Sequence, residues 1–291
     1  MMETFSRNST FNLAGRPVSR MGYGAMKLAG SHAFGTPRDP ETAVRVLREA
    51  VELGVSHIDT SDFYGPHVTN KLIQRALHPY RANLTIATKV GARRGPQGEW
   101  LSAMTPEELT KAVLDNLRNL KLEVLDVVYL RCMFNPMAPS EGSIEPFLTT
   151  LANLQQQGLI RHIGLSNVTG AQVAEGRSLC KIASVQNQYN LAYRHDDALI
   201  DALAADGVAY VPFFPLGGFT PLQSSSLSAI AKELGATPLQ VALAWLLHRS
   251  PNIMLIPGTS SLEHLRENMK AAELQLDSSL MAALDNIEMK Q

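Results

Sequence analysis

Short apolar runs alternate along the chain with longer stretches in which apolar residues recur at every third or fourth position. A short apolar run is typical of a buried strand, and the spacing of three and four is typical of a helix with one face against a core. The helical spacing is clear in Val44, Leu47 and Val51. From residue 20 onward the alternation predicts eight strands, the first of them weak: Met21–Met26, His57–Asp59, Leu84–Val90, Leu125–Leu130, His162–Leu165, Ala183–Gln186, Ala209–Phe214 and Ile253–Ile256.

Helical stretches lie between these strands and carry the usual signals at their ends. Thr105 and Thr237 each precede a proline, which is the pattern of a helix cap followed by a first-turn proline. Gly54 and Gly158 follow helical runs, where a left-handed residue ends a helix. The predicted helices include Pro40–Leu53, Pro106–Leu120, Ile144–Gln157, Asp196–Ala205 and Leu227–Leu234.

Eight strand-then-helix units within about 250 residues favour one closed parallel barrel. A doubly wound dinucleotide-binding sheet is disfavoured, because no GxGxxG follows the first strand. Two segments fall outside the repeating units. Thr10–Val18 is predicted to form a hairpin that plugs the barrel bottom, and Asp277–Met289 a final helix. We therefore expect an α/β fold, a single (β/α)8 TIM barrel domain spanning residues 1–291, with an N-terminal hairpin and a C-terminal extra helix.

Composition narrows the classes of function. The 26 Lys and Arg nearly balance the 27 Asp and Glu, giving a net charge of −1, which argues against binding to nucleic acid or to a membrane surface. The two cysteines, Cys132 and Cys180, have no metal-ligand spacing and cannot form a disulfide framework, so we predict no metal and a reducing compartment. A polar N-terminus and the lack of a long apolar run predict a cytoplasmic protein. No obligate protein partner is evident from the sequence.

Polar residues at the carboxyl ends of the strands are the candidates for chemistry, because the active site of such a barrel lies there. Asp59 and Tyr64 follow the second strand, and Lys89 lies within the apolar third strand. A buried lysine needs a partner, and Asp59 is available. The positive charge of Lys89 is expected to lower the pKa of Tyr64, which would make the phenol a usable acid. The same pattern fits a structural ion pair beside a loop aromatic, and these residues alone leave both interpretations open.

Five groups of residues, taken in order, carry a resemblance to a known family. They are Asp59–Tyr64 with Lys89, Gly164–Asn167, Gln186, Pro212–Gly218, and Ile256–Ser260 with Arg266–Asn268. Together they resemble the aldo-keto reductases, a (β/α)8 family that reduces carbonyl groups with NADPH. Three longer strings, Asp59–His67, Gly91–Gly95 and Pro212–Leu222, are similar to the bacterial pyridoxal reductase branch of that family.

The resemblance implies a role for each matching residue. Tyr64 is expected to donate a proton, Lys89 to tune it, and Asp59 to hold the lysine. Ser166, Asn167 and Gln186 are expected to bind the nicotinamide carboxamide of NADPH. The remaining expected cofactor contacts are Phe213, Leu216, Gly218, Gly258, Thr259, Ser260, His264, Glu267 and Asn268.

Two positions depart from the family pattern. Arg131 stands at the end of the fourth strand, where most members have a catalytic histidine. A guanidinium stays charged and can polarise a carbonyl oxygen, but it cannot shuttle a proton, so we add Arg131 to the catalytic set and assign protonation to Tyr64 alone. A role for Arg131 only in balancing Asp59 or Asp62 is the alternative. The site for the 2′-phosphate has Gly258 and His264 in place of the usual cations, with Arg266 as a further candidate donor.

The predicted function is that of an NADPH-dependent carbonyl reductase acting on a small-molecule aldehyde, with pyridoxal as the expected substrate and pyridoxine as the product. Trp100, Phe134 and Phe219 are predicted walls of the substrate pocket. Three alternatives remain: an aldehyde reductase of broad specificity, a catalytically weak NADPH-binding sensor, and Schiff-base chemistry at Lys89.

Overall fold

The computed structural model describes residues 9–218 and 224–287. Seven parallel strands and one antiparallel partner form the main sheet, and a separate hairpin precedes it. The strands are β1 (Thr10–Leu13), β2 (Arg16–Ser19), β3 (Tyr23–Gly24), β4 (His57–Asp59), β5 (Thr85–Arg94), β6 (Trp100–Ala103), β7 (Leu125–Arg131), β8 (Ile160–Ser166), β9 (Ile182–Gln186) and β10 (Ala209–Tyr210).

The parallel strands follow the order β3-β4-β5-β7-β8-β9-β10, as expected for a (β/α)8 barrel. The eighth predicted strand is present only as bridges: Leu255 pairs with Met21, and Ile253 pairs with Tyr210. Hydrogen bonds of 2.8 Å from Gly22 N to Leu255 O and of 2.9 Å from Met254 N to Tyr210 O close the seam. The barrel fold is confirmed, although its first and last strands are shorter than predicted.

Helices follow the strands on the outside of the barrel. They are α1 (Pro40–Glu52), α2 (Val68–Leu77), α3 (Pro106–Leu120), α4 (Glu145–Gln156), α5 (Gly170–Leu179), α6 (Asp197–Ala205), α7 (Ser225–Glu233), α8 (Pro238–Arg249), α9 (Leu262–Lys270) and α10 (Ser278–Asp285). Most of these helices bury one face, whereas α8 is buried continuously from Gln240 to Leu247. Thr105 and Thr237 form capping boxes at the starts of α3 and α8, as their sequence predicts.

The predicted hairpin is β1 and β2, which pair antiparallel with Phe11 opposite Val18. Leu13 and Val18 pack against the barrel interior at Ala87, Val127 and Met254, so the hairpin closes the bottom of the barrel. The final helix is shorter than predicted: α10 ends at Asp285, and residues 288–291 lie outside the described part of the chain. Within residues 9–218 and 224–287, no helix has the length and apolar character needed to cross a membrane.

A second hairpin was not predicted. β5 continues past the barrel to Arg94 and turns back as β6, which pairs with it antiparallel. The extension begins at Gly91, which has a φ of 106° and lies so close to β7 that a Cβ there would stand 2.4 Å from the carbonyl oxygen of Arg131. Glycine is therefore required where β5 leaves the barrel wall.

Candidate active site

Alternation along the strands and their register bring the candidate residues to one end of the barrel. Successive side chains of a strand point to opposite faces, and the register places Asp59, Lys89 and Arg131 on the inner face near the carboxyl ends of their strands. Arg131 is in register with Ser166, and Ser166 with Gln186. Arg131, Ser166 and Gln186 therefore lie in a row across β7, β8 and β9.

Asp59 and Lys89 form a buried ion pair. Lys89 Nζ donates to Asp59 Oδ1 and, at 3.1 Å, to the carbonyl oxygen of Thr60. The other oxygen, Asp59 Oδ2, accepts from Gln186 Nε2 at 2.9 Å. Burial opposes the charge of the lysine, but Asp59 and Tyr64 outweigh it and hold the pKa of Lys89 above its usual value. Lys89 is therefore an ammonium ion fixed in place by the carboxylate.

Tyr64 lies over this pair, with Lys89 Nζ 5.2 Å from the centroid of its ring. Its side chain is buried, with 6% of the residue exposed. Burial raises the pKa of Tyr64, and the charge of Lys89 opposes this only in part. The expectation that the lysine brings the pKa below its ordinary value is thus corrected, because desolvation of the phenolate is the larger effect. Tyr64 is fully protonated at neutral pH, which is the form a proton donor requires.

Arg131 has no carboxylate within ion-pair distance among the described residues. Its Nη1 donates to Ser166 Oγ at 3.4 Å, and its Nη2 donates to the carbonyl oxygen of Pro136 at 3.1 Å. The guanidinium carbon lies 5.1 Å from the centroid of the Phe213 ring. Burial lowers the pKa of Arg131, but an arginine remains charged. The structure therefore shows no pairing of Arg131 with Asp59 or Asp62.

Two buried amide oxygens beside this row lack a hydrogen-bond donor: Asn167 Oδ1 and Gln186 Oε1. Their orientation is set by the nitrogen of each amide. Asn167 Nδ2 donates to the carbonyl oxygens of Cys132 and Asn135 at 2.8 Å each, and Gln186 Nε2 donates to Asp59. Buried polar atoms are almost always bonded, so this pair of acceptors fits a ligand that brings N–H donors. The carboxamide of a nicotinamide ring is such a ligand.

A cavity of about 110 Å³ continues from Asp59, Tyr64 and Gln186 toward the seam of the barrel. Besides Gln186, four more of the predicted cofactor residues line it: Phe213, Leu216, Gly218 and Gly258. A Cβ on Gly258 would stand 2.5 Å from the carbonyl oxygen of Gly24, so the strand ends approach too closely there for any larger residue. The cavity therefore extends from the buried ion pair to the close approach of Gly258 and Gly24.

The remaining predicted cofactor residues lie beyond Gly258, around the start of α9. Thr259 is buried, and its Oγ1 accepts from Ser261 N at 3.0 Å, whereas Ser260 and His264 are exposed. Glu267 is half-buried and Asn268 is buried on the same helix. Arg266 donates to Glu49 through two nitrogens, at 2.5 and 3.0 Å. A role for Arg266 as a donor to a phosphate is therefore disfavoured, because its guanidinium already donates to the carboxylate of Glu49.

A second cavity, of about 130 Å³, adjoins the first and shares Tyr64, Gln186 and Phe213 with it. Trp100 lines it as predicted, and Lys89 and Arg131 also reach it. Phe134 is 38% exposed and does not line it, and Phe219 lies outside the described residues. Wall residues that sequence reasoning missed are Met26, Phe63, Pro136, Met137, Gln188 and Phe214.

One group of metal-ligand type occurs among the described residues, near the same loop: Asp62, His67 and Asp115. Asp115 already accepts from Lys111 at 2.6 Å and from Arg118, so its carboxylate is satisfied. Asp62 Oδ1 has no partner, and burial, followed by repulsion from Asp115, raises the pKa of Asp62 to about 7. Asp62 is consequently a buried carboxyl group whose pKa lies near neutral pH, so it is not a permanently charged carboxylate.

Comparisons with known proteins agree with this geometry. A family model described as "Aldo/keto reductase family" matches residues 20–289. The chain belongs to this family. Members are oxidoreductases that use a nicotinamide cofactor, and the two donor-free amide oxygens fit that cofactor.

Among curated members of the family, pyridoxine 4-dehydrogenase of Escherichia coli (strain K12) is 65% identical over 281 residues, 96% of this chain and 98% of that protein. Among solved structures, a thermostable aldo-keto reductase, Tm1743 in complex with the inhibitor epalrestat, is 31% identical with a TM-score of 0.80, covering 94% of this chain and 97% of that chain. An aldo/keto reductase from Klebsiella pneumoniae in complex with NADP and acetate is 22% identical with a TM-score of 0.77, covering 95% and 94%. This last likeness shows the shared fold.

Proposed function

We propose that the protein interconverts pyridoxal and pyridoxine with NADPH and NADP as the cofactor pair, the whole chain acting as one domain. The observation that carries the proposal is 65% identity, over nearly the full chain, to a pyridoxine 4-dehydrogenase. It is supported by a catalytic group of Asp59, Lys89 and Tyr64 that opens onto a small cavity with partly aromatic walls. The substrate is a small aromatic aldehyde, and the product is the corresponding primary alcohol.

The proposed binding of the nicotinamide is based on the two buried amide oxygens that lack a hydrogen-bond donor. The nicotinamide, when bound, supplies the hydride for the aldehyde carbon. Asn167 Oδ1 and Gln186 Oε1 would accept from its carboxamide, and Ser166 is in register with Gln186 at the ends of β8 and β9. Such contacts would determine which face of the ring is turned toward Tyr64. The choice of NADPH over NADH rests on the family resemblance, since Arg266 is engaged by Glu49.

Proton transfer is assigned to Tyr64. Its hydroxyl donates to the carbonyl oxygen as negative charge develops there, and an alkoxide is far more basic than a phenolate, so the raised pKa of Tyr64 does not block the transfer. The ammonium of Lys89 stabilises the phenolate that remains, and Asp59 holds the ammonium at that point. In the reverse direction the phenolate takes the proton back.

Two of the alternatives are disfavoured by particular contacts. Schiff-base chemistry requires a neutral amine, whereas the pKa of Lys89 is held above its usual value and its Nζ is bound to Asp59. A sensor without catalysis leaves the buried Tyr64 and its cation without a purpose. A broad-specificity aldehyde reductase remains the second candidate, favoured by the exposed wall residue Met137, which is 78% exposed.

The test is steady-state consumption of NADPH with pyridoxal, benzaldehyde and a short aliphatic aldehyde in parallel. The proposal expects kcat/KM for pyridoxal to exceed the other two by at least about tenfold, which corresponds to 1.4 kcal/mol in the transition state. Equal constants would favour the broad-specificity reductase. Absence of NADPH oxidation with every aldehyde, while NADPH still binds, would favour the sensor.

A further inference from the structure

The guanidinium of Arg131 is the unusual group at the mouth of the barrel. An arginine has five N–H donors. Only two bonds are formed by Arg131 among the described residues, one of them as long as 3.4 Å, and neither partner is a carboxylate. Nε and the second hydrogens of both terminal nitrogens remain for a ligand. The centroid of the Phe213 ring lies 5.1 Å from the guanidinium carbon, a distance at which a cation and an aromatic ring attract each other.

Two other arginines of the structure are more fully engaged by protein groups. Arg94, on the neighbouring hairpin, donates through all three nitrogens to carbonyl oxygens of His32, Ala33 and Gly98. Arg249 is paired with Asp197 and Asp201. A partly buried cation without an anion is electrostatically incomplete, and the cavity that it lines together with Tyr64 and Lys89 is where an anion can complete it.

The expected substrate has an anion in a fixed relation to its reacting carbon. Pyridoxal carries a hydroxyl on the ring carbon next to the one that bears the aldehyde, and the electron-poor pyridine ring makes this hydroxyl easy to ionise. The phenolate oxygen and the carbonyl oxygen therefore stand side by side on one edge of the molecule. A guanidinium presents two parallel N–H groups at a similar spacing, which is why arginine recognises paired acceptors better than lysine does.

We propose that Arg131 makes the enzyme selective for aromatic aldehydes that carry an ionisable hydroxyl ortho to the carbonyl group. One terminal nitrogen binds the phenolate oxygen, and the other shares the carbonyl oxygen with Tyr64. The inference rests on the proposed function and deepens it, because it names the chemical feature that the site recognises. It assigns the ortho oxygen, rather than the pyridine nitrogen or the remaining ring substituents, as the main determinant of specificity.

The first experiment measures kcat/KM for 2-hydroxybenzaldehyde against 4-hydroxybenzaldehyde and 2-methoxybenzaldehyde, in the wild type and in Arg131→Met. A charge-assisted hydrogen bond to a desolvated anion predicts that the wild type prefers the ortho-hydroxy aldehyde by about 10- to 100-fold. In Arg131→Met the preference falls to within about threefold of unity. A loss of activity that is equal for all three aldehydes would overturn the inference, because Arg131 would then act on the carbonyl oxygen alone.

The matched control is Arg93→Met. Arg93 lies at the same end of the barrel, is exposed, and is 3.9 Å from Glu108 rather than in the cavity. Its substitution removes one positive charge from the region and is expected to leave the ortho preference unchanged. If Arg93→Met abolishes the preference as strongly as Arg131→Met does, the effect is a long-range one of net charge and the assignment to Arg131 is wrong.

A second readout needs no turnover. 4-Deoxypyridoxine keeps the ring hydroxyl but has no aldehyde, and its ultraviolet absorption changes when the hydroxyl ionises. Titration into the NADP complex of the wild type is expected to show the phenolate spectrum at a pH at least one unit below that of the free compound, and Arg131→Met is expected to lose that shift. A spectrum equal to that of the free compound in the wild type would overturn the inference. Fluorescence titration of NADPH confirms that both variants still bind the cofactor.

The outcomes separate this inference from the proposed function. A wild type that reduces benzaldehydes with the ortho preference but not pyridoxal would refute the proposed substrate and leave the role of Arg131 intact. A wild type that reduces pyridoxal well but shows no ortho preference among benzaldehydes, with or without Arg131, would refute the role of Arg131 and leave the proposed substrate intact.

Discussion

The floor of the barrel and its mouth each contain a buried or partly buried arginine, and the hydrogen bonds of the two differ. At the floor, Arg20 is 3% exposed and donates to the carbonyl oxygens of Leu247, Ser250 and Ile253 at 2.6 to 2.9 Å. At the mouth, Arg131 has two weaker bonds and spare donors that face a cavity. Arg20 at the floor holds three carbonyl groups together by hydrogen bonds, whereas Arg131 at the mouth keeps N–H donors for a ligand.

The same contrast extends to the neighbouring polar groups. Near the floor, Asp126 accepts from both Arg16 and Arg161 at 2.8 Å and from the backbone of Ile86 at 3.0 Å. Near the mouth, Asp62, Asn167 and Gln186 each retain a buried oxygen without a donor. Satisfied groups contribute to stability, and unsatisfied ones reduce it until a ligand arrives. Substitutions at the two ends should therefore separate stability from activity.

The largest effect is expected at Tyr64. Tyr64→Phe removes the hydroxyl from the mouth, and because no second proton donor is assigned, kcat for pyridoxal should fall by about 10²- to 10⁴-fold. The melting temperature and the Kd for NADPH should remain close to those of the wild type. Stopped-flow kinetics measures kcat, fluorescence titration measures the Kd for NADPH, and thermal unfolding measures the melting temperature. A Tyr64→Phe enzyme with normal kcat would show that the proton comes from elsewhere.

Asp62 tests how much stability the mouth gives up. Its pKa is raised from 3.8 to about 7 in the folded protein, so below about pH 4 it is protonated in both states and has no effect. Between pH 4 and 7 the unfolded state ionises and the folded state does not, so stability falls, and above pH 7 the loss is constant at roughly 4 kcal/mol.

The side chain of the Asp62→Asn variant cannot ionise. The free energy of unfolding of this variant, relative to that of the wild type, should consequently increase as the pH rises from 4 to 7 and then level off. Urea unfolding at pH 4.5, 6 and 8 measures this. Parallel stability curves for the two proteins would show that Asp62 does not titrate in this range.

Arg20 supplies the opposite test at the floor. Arg20→Met leaves three buried carbonyl oxygens short of a donor, and the free energy of unfolding should fall by roughly 3 kcal/mol. At temperatures where the variant is folded, kcat/KM for pyridoxal should stay within about twofold of the wild type. A specific loss of kcat in a fully folded Arg20→Met protein would contradict the division between floor and mouth.

The smallest effect is expected from substitution of Ser166. Ser166→Ala removes the hydroxyl that accepts from Arg131, at a position in register with Gln186. Loss of one neutral hydrogen bond predicts a Kd for NADPH about five- to tenfold higher, with little change in the melting temperature. Isothermal titration calorimetry checks the first value and thermal unfolding the second. An unchanged Kd would remove Ser166 from the proposed cofactor contacts.

Much of the fold was predictable because its signals are local. The capping boxes at Thr105 and Thr237 and the spacing in α1 depend on residues within a few positions of one another. The shortness of β3 and β10 was not predictable, because a strand at the seam is defined by its partner 40 or more residues away. The β5–β6 hairpin was missed for a related reason: Trp100–Ala103 has only four residues, which is too short to show an alternating pattern.

The candidate site was predictable where residue type and strand position agree. A lysine in an apolar strand and an aspartate at a strand end identified the Asp59–Lys89 pair. The sequence could not show that desolvation outweighs Lys89 at Tyr64, because burial depends on the three-dimensional packing of Phe63 and Trp100 around it. Met137 was missed as a wall residue because its loop carries no periodic signal.

The seam of the barrel has a consequence for how the chain folds as it is made. Residues 20–24 and 253–255 come from opposite ends of the sequence, and the sheet closes only where they meet. A ribosome must therefore deliver nearly the whole protein before the ring is complete. Until then β3 and β10 are open edges, and their length of two residues each limits pairing with other nascent chains.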